Sequence, residues 1–306
     1  MRPRSAFDQM LERHLSIDVA KRHAYFCATM NEPPLPTPTM VHGNDGSPVI
    51  LSMPHSGRDI PDWLASRAVG GRDALLSLSD PYVDAIAAPF LDEGLAAVIA
   101  HAPRAAIDPN RRPDELDPMI ADGPPPPPGS KAANGIGLIP SRGRGRKPLW
   151  KTQIGTANVA KRLRSAWDPY HEALGALIEQ SLARHGQAIL LDLHSMPPAR
   201  RGLPRVVLGD RHGKSANADL VEAIRRALVD VGEECALNHP YAGGAIVAMH
   251  GDPDRHVHAV QVEFDRSLYL EPRLRQPGPG LARARRLLAA IIDAATPDEA
   301  HTLAAE

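Results

Sequence analysis

Histidine and carboxylate side chains recur in this chain at the ends of apolar runs. The run 48–54 leads to His55, the run Ala188 to Leu191 delivers Asp192 and His194, and the run 257–264 carries Glu263 near its end. Two histidines and a carboxylate are the side chains of catalytic zinc sites, where three protein ligands leave one position for water. His55 and His194 can meet only through the fold, and the plain alternative is two unrelated, hydrogen-bonded strand-end imidazoles. Two carboxylates compete to be the third ligand. Arg58 occupies the His-x-x-acid position and cannot bind a cation; Asp59 follows one residue too late, and Asp80 opens the next helix. A carboxylate at Glu263 either pairs with an arginine or acts as a base of raised pKa. In Asp108-Pro-Asn110-Arg111 an amide and a guanidinium stand side by side. Arg111 could grip a substrate carboxylate bidentately, or pair with Asp108 or Asp114.

Strands must carry these groups to one place. The all-apolar run before Asp192 reads as a strand buried on both faces, stopped by Pro197 and Pro198. Further strands are expected at 96–100, 206–210, 245–250 and 257–264, the last placing Gln261 and Glu263 on one face and Val260, Val262 and Phe264 on the other. Between them, helical spacing predicts a short helix from Pro61-Asp62 and a second starting at Ser79, with Ser79 as N-cap and Pro81 in the first turn. Longer helices are expected over 153–185, 216–231 and 279–295. The strand–helix–strand alternation predicts an α/β class, a three-layer α/β/α sandwich around a mixed, mostly parallel sheet. In such sheets ligands bind beyond the carboxyl ends of the strands. Residues 1–47 read as an N-terminal helical arm and a Pro-rich connection, 48–295 as one catalytic domain, and 296–306 as a tail. Residues 113–150, with the run Pro124 to Pro128 and the cluster Arg142, Arg144, Arg146 and Lys147, read as a long surface loop over the site.

Composition excludes several classes. With 306 residues, 43% hydrophobic, the chain can bury a sizeable core. A net charge of −1 and a pI near 6.9 argue against a nucleic-acid partner, and no aromatics interleave the basic cluster. No window nears the roughly 18 apolar residues of a membrane span. Cys27 and Cys235 have neither disulfide nor metal spacing and read as plain thiols, so a cytoplasmic location is expected.

Six segments together resemble the N-formylglutamate amidohydrolase family: Pro54-His-Ser-Gly57, Ser79-Asp-Pro-Tyr-Val-Asp84, Ile107-Asp-Pro-Asn-Arg111, Asp192-Leu-His-Ser195, Gly209-Asp-Arg211, and Gly251 through Glu263. The last, with Arg255-His-x-His-Ala-Val-Gln-x-Glu263, is the most specific. The resemblance implies a fold similar to zinc carboxypeptidases and zinc-dependent muramoyl amidases. It also implies Zn²⁺, or another divalent transition metal, on His55, Asp80 and His194, favouring Asp80 over Asp59. Asn110 and Arg111 would hold a substrate carboxylate, and Glu263 would be the catalytic acid/base. Asp192 and His258 would orient the ligand histidines from behind. Members close to the histidine-degradation deformylase carry an arginine–histidine–tyrosine stretch where this chain has Ala248-Met249-His250.

The activity implied is hydrolysis of the amide of a small N-formyl or N-acyl amino acid, such as N-formylglutamate, to formate and the free amino acid. The same residues also suit a peptidoglycan or peptide amidase, and a carboxylate-binding homologue that turns nothing over.

Overall fold

The structure, a computed structural model, describes residues 32–296 apart from Asp45 and Arg201, together with all side chains in that span but that of Arg144. The expected arm over 7–30 and the tail beyond Thr296 lie outside the described residues.

Seven strands form one sheet: β1 (Thr39–Val41), β2 (Val49–Met53), β3 (Ala96–Ile99), β4 (Ala188–Met196), β5 (Val206–Gly209), β6 (Cys235–Leu237) and β7 (Val257–Asp265), in the order β1-β3-β2-β4-β7-β5-β6. The pairs β2–β3, β2–β4, β4–β7 and β5–β6 are parallel, while β1 and β5 run antiparallel to β3 and β7. The mixed, mostly parallel sheet expected from the sequence is present. Chain order reverses between β2 and β4, since β2 leads outward to β3 and the chain then crosses back to β4. That switch point opens a crevice at the carboxyl rim.

Helices cover both faces. On one side α3 (Val83–Asp92), α6 (Ala218–Asp230) and α8 (Leu281–Ala295) bury Ile86, Ile224 and Leu288 against Leu51, Leu191, Val262 and Phe264. On the other, α5 (Asp168–His185) and α7 (Ala245–His250) pack Tyr170, Leu174 and Ile246 onto Ile50, Leu190 and Ala259. The alternation of side chains along β4 and β7 sorts residues between these two cores.

Four expectations are corrected. Residues 245–250 form α7 rather than a strand, despite β-branched Ile246 and Val247. The Ile246 N–H, one of the donors a helix start leaves unpaired, is capped at 2.9 Å by the Asn110 side chain from a distant loop. The helix after Asp80 begins at Val83, not at Ser79, because Tyr82 takes a left-handed φ of 63° and the Asp80 N–H is tied to the His55 carbonyl. The helix expected over 153–185 is divided into α4 (Thr156–Arg162), a π-turn (Leu163–Trp167) and α5, whose first turn contains Pro169. Proline lacks the donor that a continuous α ladder requires there. Finally, 113–150 is more than a surface loop: Ile120, Leu138, Ile139, Leu149 and Trp150 are buried with Leu64 and Leu75 of α1 (Asp62–Arg67) and α2 (Gly71–Leu76) in a satellite core. The proline run, Lys131 and residues 145–148 are among its parts that stay at the surface. β1, β6 and α2 carry no strong sequence pattern and were not anticipated.

Candidate active site

β2, β4 and β7 end at the same rim, and each supplies a polar residue there. Parallel pairing sets His194 opposite Glu263 and Asp192 opposite Gln261, so all four share one face of adjacent strands. His55 follows β2, and the turn before α3 brings Asp80 beside it.

Three atoms converge. His55 Nδ1 lies 3.0 Å from Asp80 Oδ2, His194 Nδ1 lies 3.0 Å from the same oxygen, and the two Nδ1 atoms are 3.1 Å apart. All three residues are buried. Both histidines are held from behind by carboxylates that can only accept: His55 Nε2 donates to Asp108 Oδ1 at 2.7 Å and His194 Nε2 to Asp192 Oδ2 at 2.9 Å. This fixes the tautomer with the proton on Nε2 and leaves an imidazole lone pair on each Nδ1. With both imidazoles neutral, two lone pairs and a carboxylate oxygen face one another, whereas a protonated imidazole donates from Nδ1 to Asp80 Oδ2. A borderline-soft divalent cation suits that N₂O donor set, and the carboxylate–histidine pairing is how proteins orient metal-binding imidazoles. Among the described residues, His55, Asp80 and His194 are the group placed to hold a metal ion. Asp59 is exposed and lies outside it.

The surrounding electrostatics are set by burial and by charge. Burial alone would raise the Asp80 carboxyl, but hydrogen bonds and charges from His194 and His55 hold it well below the usual carboxylate range. Burial opposes a proton on His194, yet Asp192, Asp80 and Glu263 together raise its pKa well above that of free histidine. Burial raises Glu263, reinforced by Asp80 and opposed by His194, Arg104 and His55. A carboxylate so shifted is suited to accept and return a proton. Its Oε1 accepts from Gln261 Nε2 at 2.9 Å.

Asn110 stands against the cluster, with Nδ2 3.1 Å from His194 Nε2 and donating to Gln261 Oε1 at 3.2 Å. Arg111 donates through Nε to the Ile136 carbonyl and through Nη1 to the Asn110 carbonyl, and pairs with neither Asp108 nor Asp114. Those acids are taken by Arg104 and Arg112.

His258 does not belong to the site. It pairs in register with Ile189 at the amino end of β7, five residues before Glu263, roughly 16 Å away at strand rise. It also points to the opposite face of the sheet. Asp192, by contrast, sits directly behind His194 and is itself fixed by the Ser52 hydroxyl at 2.7 Å, to which Tyr170 is joined at 2.8 Å.

Several members of the site were missed in the sequence. Asp108 supports His55, and Arg104 neutralises it through Asp108 Oδ2 at 3.0 Å. Arg266 and Ser195 hold the outer oxygen of Asp80 at 3.1 and 3.2 Å. The available signals were weak: Asp108 adjoins Asn110-Arg111, and Arg266 follows the strand that carries Glu263.

Fold and geometry define a class of centre, a buried His–Asp–His cluster with a glutamate beside it at the carboxyl rim of an α/β/α sheet. A family model described as N-formylglutamate amidohydrolase matches residues 47–270. The N-formylglutamate deformylase of Pseudomonas putida is 30% identical over 232 residues, which cover 73% of this chain and 82% of that protein. That of Pseudomonas aeruginosa is 28% identical over 234 residues, with the same coverage. The crystal structure of N-formylglutamate amidohydrolase from Ralstonia eutropha JMP134 matches with a TM-score of 0.77 at 32% identity, covering 85% of this chain and 97% of that one. This chain belongs to the N-formylglutamate amidohydrolase family and is a hydrolase of amide bonds.

Proposed function

We propose that the chain is a divalent-metal-dependent deformylase of N-formylglutamate, with zinc as the metal, His55, Asp80 and His194 as its ligands and Glu263 as the acid/base. The observation that carries this reading is the convergence of His55 Nδ1, His194 Nδ1 and Asp80 Oδ2 within 3.1 Å, with Glu263 beside His194 on the next strand. A divalent cation held there supplies Lewis acidity to the scissile carbonyl and eases ionisation of water.

The chain's own residues do the rest. Asn110 and Arg111 take the substrate α-carboxylate and orient the formamide towards the cluster. Glu263 removes a proton from the attacking water as its oxygen bonds to the formyl carbon. It then passes that proton to the departing nitrogen as the C–N bond breaks, giving formate and glutamate. Asp108 and Asp192 keep the two imidazoles in the orientation that the donor set needs. A small-molecule substrate, a role in amino-acid breakdown such as histidine degradation, and a cytoplasmic location complete the reading.

The test is metal analysis of purified protein together with assay of formate release from N-formylglutamate. About one zinc per chain and loss of activity on chelation are expected. Metal content unchanged in His55→Ala would overturn the ligand set.

A further inference from the structure

Beside the His–Asp–His cluster lies a cavity of about 560 Å³, within the size range of small-molecule sites. Arg111 and Gly244 join it to the site, and Pro127, Pro128, Ala245 and Ala248 give it apolar walls. Two further cations line it: Lys131, at the head of the turn Lys131–Asn134 that follows the proline run, and Arg211, beyond the end of β5. The turn is fixed in place. Ser130 accepts from the Ala132 N–H at 3.1 Å and donates to Glu115 at 3.0 Å, and Ala132 is buried.

The charges lining this cavity are unbalanced. Its two acids are already occupied, Asp114 by the Arg112 guanidinium at 3.0 and 3.1 Å, and Glu115 by Ser130 and the Arg112 N–H. Among the described residues the Lys131 ammonium and the Arg211 guanidinium have neither a hydrogen-bond nor an ion-pair partner. Lys131 lies within electrostatic range of the cluster. Burial lowers its pKa, with Arg111 and Arg104 acting as like charges and Glu263 and Asp108 as opposite ones. Lys131 is exposed and Arg211 half-buried, and two cations without a protein partner along a partly apolar, preformed cavity suit an anionic ligand group.

We propose that Lys131 and Arg211 form the subsite for the side-chain carboxylate of the substrate, so that the enzyme selects N-formyl amino acids carrying a second acid. The inference rests on the deformylase reading above. With the α-carboxylate on Asn110 and Arg111, a side-chain carboxylate reaching across the cavity meets the only cations there without a partner among the described residues.

The experiment compares kcat/KM for N-formylglutamate and N-formylglutamine, which have the same shape and differ in side-chain charge, in zinc-loaded protein. The wild type is expected to prefer the acid. In Lys131→Met that preference should fall by roughly ten- to a hundredfold, the loss of one charge-assisted hydrogen bond. Lys131→Glu should reduce it further, and Lys131→Arg should restore it. An unchanged preference in both Lys131→Met and Lys131→Glu, with both substrates still turned over, overturns the subsite and leaves the deformylase reading standing. Turnover of neither substrate by the zinc-loaded wild type overturns the deformylase reading and the subsite with it.

Discussion

His194 and Glu263 are register partners on the adjacent parallel strands β4 and β7, so a candidate ligand and the candidate acid/base beside it are held by one pair of paired backbones. This placement separates two roles that mutation can distinguish. Glu263→Gln removes the proton acceptor but keeps the shape and the hydrogen-bonding capacity towards Gln261. The variant should bind metal as the wild type does and lose roughly 10²–10⁴ in kcat. Metal content by mass spectrometry and formate release measured on one preparation check this, and an active variant would remove Glu263 as the base.

Metal uptake should release protons and weaken in acid. The pKa of His194 is raised well above the ordinary histidine value, chiefly because Asp192 and Asp80 outweigh its burial. The metal-free site therefore holds a proton that a cation must displace, and affinity rises with pH until His194 is neutral. Calorimetry of zinc binding in buffers of different ionisation enthalpy should report that release. Asp192→Asn, which weakens the acceptor behind His194, should cost roughly ten- to a hundredfold in metal affinity.

Gly244 is where backbone must pass close to Asn110. A Cβ there would lie 2.2 Å from Asn110 Oδ1, the atom that caps Ile246 at the start of α7. Gly244→Ala should therefore push Asn110 out of line and destabilise the fold by about 1–3 kcal/mol, the usual cost of overpacking. It should raise KM for N-formylglutamate while leaving bound metal unchanged. Thermal melts and steady-state kinetics measure the two effects separately.

Acid should also destabilise the protein through a histidine outside the cluster. His171 packs against Trp167 with its ring 4.0 Å away and donates from Nε2 to the Pro109 carbonyl, so its Nδ1 accepts from His250 at 2.9 Å. Burial first, and then His250, lower its pKa to about 4. The unfolded chain takes up a proton near pH ~6.5 and the folded one only near 4, so stability is full above the first value and falls between the two. The loss amounts to something on the order of 3 kcal/mol. Urea denaturation at neutral and mildly acid pH should show this drop, and His171→Gln should flatten it.

Much of the site was legible because its spacing is local. The two-residue period of a strand puts Asp192 with His194 and Gln261 with Glu263 whatever the rest of the chain does. Apolar runs ended by histidine or proline located β2 and β4 for the same reason. His258 was misplaced because its motif reads as continuous with Glu263, whereas strand rise carries the two residues to different ends of the sheet. The helix at Ala245–His250 was misread as a strand because its cap comes from Asn110, a residue that no local window contains.

From its order of residues alone, this chain determined which side chains stand at strand ends, which of them share a face, and that apolar layers must cover both sides of a sheet. Those properties follow from backbone periodicity and from the burial of apolar surface, both of which act over a few residues. Tertiary structure decided that Asp80 and not Asp59 meets the histidines, that Asp108 supports His55, and that Lys131 and Arg211 line a common cavity. Such meetings depend on strand order and on turns such as Tyr82, which bring together segments far apart in the sequence.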